Sequence, residues 1–205
     1  AGILSGVLIK TGAAKSIANG IIKGLGEKNT LFALALATML LTAIGVFIDV
    51  AVITVAPIAL AVGSRSVHPK MKLLFAMIGG GKAGNIISPN PNTIIAAENF
   101  HADLSSVMMT NFVPALIGLF ATLLILKLIP SKGERVELMD TGEDFELPSF
   151  MASITGPLCT ILLLAFRPLF GIVIDPMIAL PLGGICGILA MRKFTMFRES
   201  IDFGL

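Results

Sequence analysis

The chain has 205 residues and a net charge of +2; 55 % of its residues are apolar, only 14 % are charged, and its mean hydropathy is +0.92. Soluble domains carry roughly 25 % charged residues, so this composition argues against a soluble enzyme, a disordered polymer and a disulfide scaffold. The small net charge gives no footprint for nucleic acid, and the open question is how often the chain crosses a bilayer.

In chain order, residues 1–9 read as the end of a helix. No basic region precedes an apolar core, so no signal peptide is expected. The chain reads as a piece of a larger membrane protein, opening and closing in mid-pattern. Lys10, Lys15, Lys23 and Lys28 form a basic loop over 10–28. Residues 31–62 are apolar throughout, too long for one upright helix and short for two full spans of roughly 20 residues each. Arg65, Lys70 and Lys72 follow in a loop over 65–72. Residues 72–97 are long enough to span but are interrupted, and 98–105 form a loop. Residues 106–129 are the cleanest span. Six carboxylates lie between Glu134 and Glu146, and 131–147 reads as a solvated acidic linker. Spans at 147–167 and 171–190 follow, with Asp175-Pro176 reading as the N-cap and first residue of the second. Residues 192–198 are a basic loop. Cys159 and Cys186 lie in apolar stretches and read as core rather than as a redox pair.

Basic residues fix the orientation, because cytoplasmic loops carry an excess of Lys and Arg. Both flanks of 31–62 are positive, so that stretch enters the membrane and returns on the same side. It reads as a re-entrant hairpin with its tip near Ile48-Asp49-Val50. With this fold, of 15 basic residues 13 lie inside, Arg167 lies outside and Lys82 lies within a span. The loops 10–28, 65–72, 127–147 and 192–198 are then cytoplasmic. A single crossing at 31–62 would invert every later loop and destroy the pattern.

Asp49 and Lys82 are the exceptions. An ionisable residue at mid-bilayer costs roughly 2.5–3.5 kcal/mol, so the two together oppose insertion by roughly 5–7 kcal/mol unless paired or hydrated. Asp49 reads as the N-cap of the second hairpin arm, as a proton carrier, or as a group positioning a polar ligand at a positive helix end. Lys82 lies in Gly79-Gly80-Gly81-Lys82-Ala83-Gly84. This run has neither the strand-helix setting of a dinucleotide site nor the Ser or Thr of a phosphate loop. The glycines fit close helix packing, but that does not account for the lysine, which could pair with Asp49 or with a substrate carboxylate. Then comes Asn85-Ile-Ile-Ser88-Pro-Asn90-Pro-Asn92-Thr93. Two prolines two apart cannot continue a helix. In a membrane such a break survives only inside protein or beside a wet cavity, and discontinuous helices of this kind build midplane transporter sites. An aspartyl protease would need Asp49 and Asp175 to face each other, and their expected depths differ.

Phe47-Ile-Asp-Val50 with Ala56-Pro-Ile58, then His68-Pro-Lys-Met-Lys-Leu-Leu-Phe-Ala76, then Gly84-Asn-Ile-Ile-Ser-Pro-Asn-Pro-Asn-Thr93, resemble the gluconate permease (GntP-type) family of the ion transporter superfamily. The resemblance implies an all-α integral membrane protein with a re-entrant helical hairpin and an interrupted helix. It implies one half of an inverted-repeat transporter, with residues 198–205 leading into the second copy. The implied division is a transport half-repeat over 1–130, a cytoplasmic acidic linker over 131–147, and two spans over 148–205.

The implied function is proton-coupled symport of a small organic anion, a gluconate-like sugar acid or another carboxylate, across the bacterial cytoplasmic membrane. No enzymatic reaction and no cofactor or metal is implied, and a homodimer is suggested. Asp49, Lys82, Asn85, Ser88, Asn90, Asn92 and Thr93 are the expected substrate-binding or ion-coupling residues. The hairpin tip lacks the Ser-Asn-Thr of sodium-coupled relatives, so sodium is the secondary expectation. A non-transporting membrane subunit or a passive channel is the alternative of a different class.

Overall fold

The computed structural model describes residues 2–64, 68–131, 133–134, 147–170, 172 and 174–204. Most of the acidic linker, with Glu137, Asp140, Glu143, Asp144 and Glu146, lies outside them, as does Arg65. The described chain is helical with no strand: α1 (Gly2–Lys10), α2 (Ala13–Leu25), α3 (Thr30–Ala43), α4 (Ile48–Gly63), α5 (Lys70–Asn85), α6 (Pro91–Asn99), α7 (Leu104–Thr110), α8 (Phe112–Leu128), α9 (Phe150–Phe170), α10 (Pro176–Met191) and α11 (Phe197–Gly204). Leu104–Leu128 is long and apolar enough to cross a membrane; the other strongly apolar helices are shorter.

Helix α5 is central. It packs along α3 and also touches α4 and α8. Helices α9 and α10 pair with each other, α10 meets α1, and α1 meets α11. Helix α2 joins the two groups by touching α3, α4 and α9. Small residues set these distances. A Cβ on Gly80 would collide with the backbone of Ala35, and one on Gly84 with Met39 and Thr42. Gly156 and Gly183 play the same part between α9 and α10. Cys159 and Cys186 lie at that second contact as free thiols, with their sulfurs 3.1 Å apart.

Helix α8 carries the opposite kind of surface. Val113, Ile117, Phe120, Leu124 and Leu128 are each more than half exposed. Their spacing of three and four residues puts them on one face. A continuous exposed apolar stripe of this kind is suited to lipid or to another apolar surface.

Several expectations need correction. The basic segment 10–28 is not a plain loop, because residues 13–25 form α2. Ala13, Ala14, Ile17, Ala18 and Ile22 are buried, while Lys15, Asn19 and Lys23 recur every four residues on the more open face. The segment is too polar to span but amphipathic enough to fold on the apolar helices. Lys70 and Lys72, expected in the 65–72 loop, open α5. Two lysines at a helix N-terminus are unfavourable for the helix dipole. Lys70 is offset by Glu134 at 2.8 Å, and Lys72 donates to the Ser131 hydroxyl at 3.0 Å. The 106–129 span holds as an apolar stretch long enough to cross a membrane, but it is interrupted at Asn111, between α7 and α8. Pro114 cannot donate to the Thr110 carbonyl, so the helix is interrupted there. Part of the 192–198 loop is already the start of α11.

Asp175 caps α10 as expected, accepting from the Met177 N–H at 2.7 Å.

Candidate functional site

The hairpin turn is fixed by a helix-ending motif. Gly45 has φ +105°, and its N–H donates to the Thr42 carbonyl while that of Val46 donates to Leu41. This is a Schellman ending, which needs a residue free to take a positive φ, here Gly45. Val46 and Leu41 are both buried, which supplies the hydrophobic contact that accompanies the motif. The Ser5 hydroxyl of α1 then donates to the Gly45 carbonyl at 2.6 Å and holds the turn from outside.

The turn therefore lies at residues 44–47, just before the expected tip. Phe47 occupies the cap position of α4, no side chain caps that end, and Asp49 stands in the first turn. The N-cap reading of Asp49 is thus overturned. Helix α4 starts at Ile48, too early for Asp49 to cap it. A carboxylate in the first turn still interacts favourably with the helix dipole.

The interrupted helix breaks between α5 and α6. Asn90 organises the break. Its Oδ1 accepts from the N–H groups of Asn92 and Thr93 at 2.8 and 3.2 Å and so caps α6. Its Nδ2 donates to the Asn85 carbonyl at 2.5 Å, closing the end of α5 onto the start of α6. Asn90 and Thr93 are buried and Asn85 is half-buried. Ser88 is fully buried, and its hydroxyl has no hydrogen-bond partner among the described residues. Such a group costs free energy, about 1–3 kcal/mol, unless something else satisfies it.

The turn and the helix leading to the break are held together. The Thr42 hydroxyl of α3 donates to the Gly81 carbonyl of α5 at 2.9 Å. A Cβ on Gly81 would meet Ile48 at 2.9 Å, so the start of α4 rests directly on the last turns of α5. Asp49 and Lys82 adjoin the two sides of this contact in sequence. Both are exposed, and no ion pair joins them among the described residues. The alternative in which Lys82 neutralises Asp49 is therefore not the arrangement seen.

The structure thus gathers Asn85, Ser88, Asn90, Asn92 and Thr93 into one unit and sets the hairpin turn against the helix leading to it. Asn92 is exposed at the start of α6. Sequence reasoning missed Ser5, Thr38 and Thr42. The Thr38 hydroxyl lies within reach of the Leu34 and Ala35 carbonyls, and that of Thr42 within reach of the Thr38 and Met39 carbonyls as well as that of Gly81. Two threonines four apart in an otherwise apolar helix were the available signal. Among the described residues no cluster of three His, Cys, Asp or Glu could hold a metal.

The GntP family permease description matches residues 1–182. An uncharacterized transporter of Haemophilus influenzae is 57 % identical over 207 residues, covering 100 % of this chain and 49 % of that protein. An uncharacterized permease of the same organism is 29 % identical over 133 residues, covering 64 % of this chain and 27 % of that protein. The chain therefore spans about half the length, or less, of these curated relatives. No solved structure matches it. With its helical build and its match over residues 1–182, the chain belongs to the GntP permease family, a family of membrane transporters and not of enzymes.

Proposed function

We propose that this chain is the substrate-binding half of a secondary active transporter for a small organic anion, a gluconate-like sugar acid or another carboxylate. Coupling is to protons, and the protein resides in the bacterial cytoplasmic membrane. The observation that carries the reading is the buried Ser88 hydroxyl without a partner among the described residues, in a break at the end of the helix against which the hairpin turn is held. A polar ligand with several hydroxyl or carboxylate oxygens would satisfy it. Lys82 supplies a counter-charge for the carboxylate, and Asp49 is the proton-coupling group. Asn85, Asn92 and Thr93 complete the lining, and Asn90 shapes it.

The membrane arrangement is part of the proposal. Helices α3 and α4 have 14 and 16 residues. At 1.5 Å per residue they reach about 21 and 24 Å, short of the roughly 30 Å hydrocarbon core. That length suits a re-entrant pair better than two full crossings. Residues 1–130 then form one transport half-repeat, 131–147 the cytoplasmic linker, and 148–205 two spans leading toward an inverted second half, in a protein that pairs as a homodimer.

The glycine contacts account for close packing of α3 and α5 and so fit a non-transporting scaffold equally well. They give no reason for an exposed Lys82 or for an unpartnered Ser88. Uptake by the full-length protein in sealed vesicles separates the readings. A symporter accumulates gluconate or a related carboxylate against its gradient when an inward proton gradient is imposed. A channel only equilibrates the substrate, and a scaffold moves none. Accumulation driven by sodium at constant pH would transfer the coupling to sodium.

A further inference from the structure

A groove of about 670 Å³ lies well away from the hairpin turn, between the start of α3 and the end of α8. This volume falls in the range of small-molecule sites. Its wall is apolar: Leu31, Phe32, Phe120, Leu123 and Leu124. Its rim is polar, with Lys28, Asn29, His68 and Lys127. Among the described residues no carboxylate lines it and neither lysine makes an ion pair. His68 is held below its ordinary value of 6.5, first by burial and then by the charge of Lys72. It is therefore mostly neutral near pH 7, and the positive charge of the rim comes from the two lysines.

The order of these residues along the helices matters. Lys28 lies two residues before α3, and Lys127 lies in the last turn of α8. Both lysines thus stand where apolar helices end, the level of a membrane-water interface. Phe120 and Leu124 lie on α8 toward the apolar side and belong to its exposed stripe. Seven residues separate Lys127 from Phe120, a rise of about 10 Å. The groove is therefore cationic at the interface and apolar for two helical turns below it.

We infer that this groove binds an anionic phospholipid, its phosphate between Lys28 and Lys127 and an acyl chain along Phe120 and Leu124. Charge complementarity selects the occupant. A protein surface pressed against the rim would need carboxylates opposite two lysines, whereas an anionic headgroup brings the charge with it. Basic pockets between membrane helices suit such headgroups for this reason. The chain tail meanwhile covers apolar surface that the fold leaves exposed.

The test uses the full-length protein with Leu124→Trp, in vesicles of phosphatidylcholine containing a small fraction of brominated lipid. Fluorescence quenching is read as the difference from the parent protein. Brominated phosphatidylglycerol is expected to quench at a lower mole fraction than brominated phosphatidylcholine. The preference should fall by about fivefold for each lysine changed to glutamine, as expected for one cationic contact at a membrane surface. Lys28→Arg with Lys127→Arg should retain it, which separates loss of charge from loss of fold. Equal quenching by both lipids overturns the inference, and so does a preference that survives Lys28→Gln with Lys127→Gln. Displacement by inorganic phosphate would assign the rim to a soluble anion instead. No quenching by either lipid would mean that protein covers the groove, and this too overturns it.

Discussion

Gly80→Ala tests the contact on which the whole site depends. In the structure a Cβ at this position meets the carbonyl oxygen, carbonyl carbon and Cα of Ala35. These are backbone atoms of a buried helix, so no side chain can rotate out of the way. Helix α3 must move back as a body, carrying Thr42 away from the Gly81 carbonyl. Overpacking of this kind costs about 1–3 kcal/mol. Alanine also gains about 1 kcal/mol of helix propensity over glycine, so the net loss is roughly 0–2 kcal/mol. A full-length protein of the curated relative's size is about twice as long as this chain, so each kcal/mol moves its Tm by roughly 1–2 °C. Gly118→Ala is the matched control: Gly118 lies inside α8 with nothing within 4 Å of its added Cβ, so only the gain in propensity remains. In thermal unfolding of the detergent-solubilised full-length protein Gly80→Ala should therefore fall below Gly118→Ala. Gly80→Ala should lower Tm, Gly118→Ala should hold or raise it, and only Gly80→Ala should impair uptake. If both behave alike, α3 and α5 do not meet as described, and the argument joining turn to break fails.

The remaining predictions address the site more directly. Ser88→Ala should leave Tm unchanged or raise it, since the hydroxyl has no partner to lose, but should raise the substrate KM; an unchanged KM would remove Ser88 from the site. Asn90→Ala should cost about 1 kcal/mol through the lost cap of α6, with more from the freed Asn85 carbonyl, measured as a lower Tm. Asp49→Asn should abolish uptake driven by a proton gradient while substrate exchange persists, and Lys82→Met should raise KM; wild-type kinetics in either variant would return that residue to a structural role. Glu134 is held below its ordinary value of 4.5 by its hydrogen bond from Lys70 and then by that residue's charge. Its folded value is depressed, so its small stabilising effect is present above that ordinary value and is lost as pH falls through the lower folded one. The stability difference between wild type and Lys70→Gln should close over that acid range. Cysteines placed at Lys28 and Ser64, which flank the hairpin, should be labelled from the same face of the membrane if the hairpin is re-entrant.

The sequence alone determined that the chain is helical and apolar, roughly where α9 and α10 run, and that a helix breaks near two prolines. These follow from local chemistry. Apolar length sets a span, Pro91 and Pro89 forbid helix continuation, and Asp175 before Pro176 starts a helix. It also singled out Asn85 to Thr93, because a polar run inside an apolar segment is visible without any partner. Only the tertiary structure decided how these parts meet. That Gly80 and Gly84 serve α3 while Gly81 serves Ile48 depends on which faces of α5 turn toward which neighbours. No one-dimensional pattern of glycines carries that information. The folding of residues 13–25 into α2 likewise required apolar helices to receive its buried face. The separation of Asp49 from Lys82 belongs to the same class, since two opposite charges in a sequence suggest a pair, and only packed coordinates show that each is exposed and available to something else.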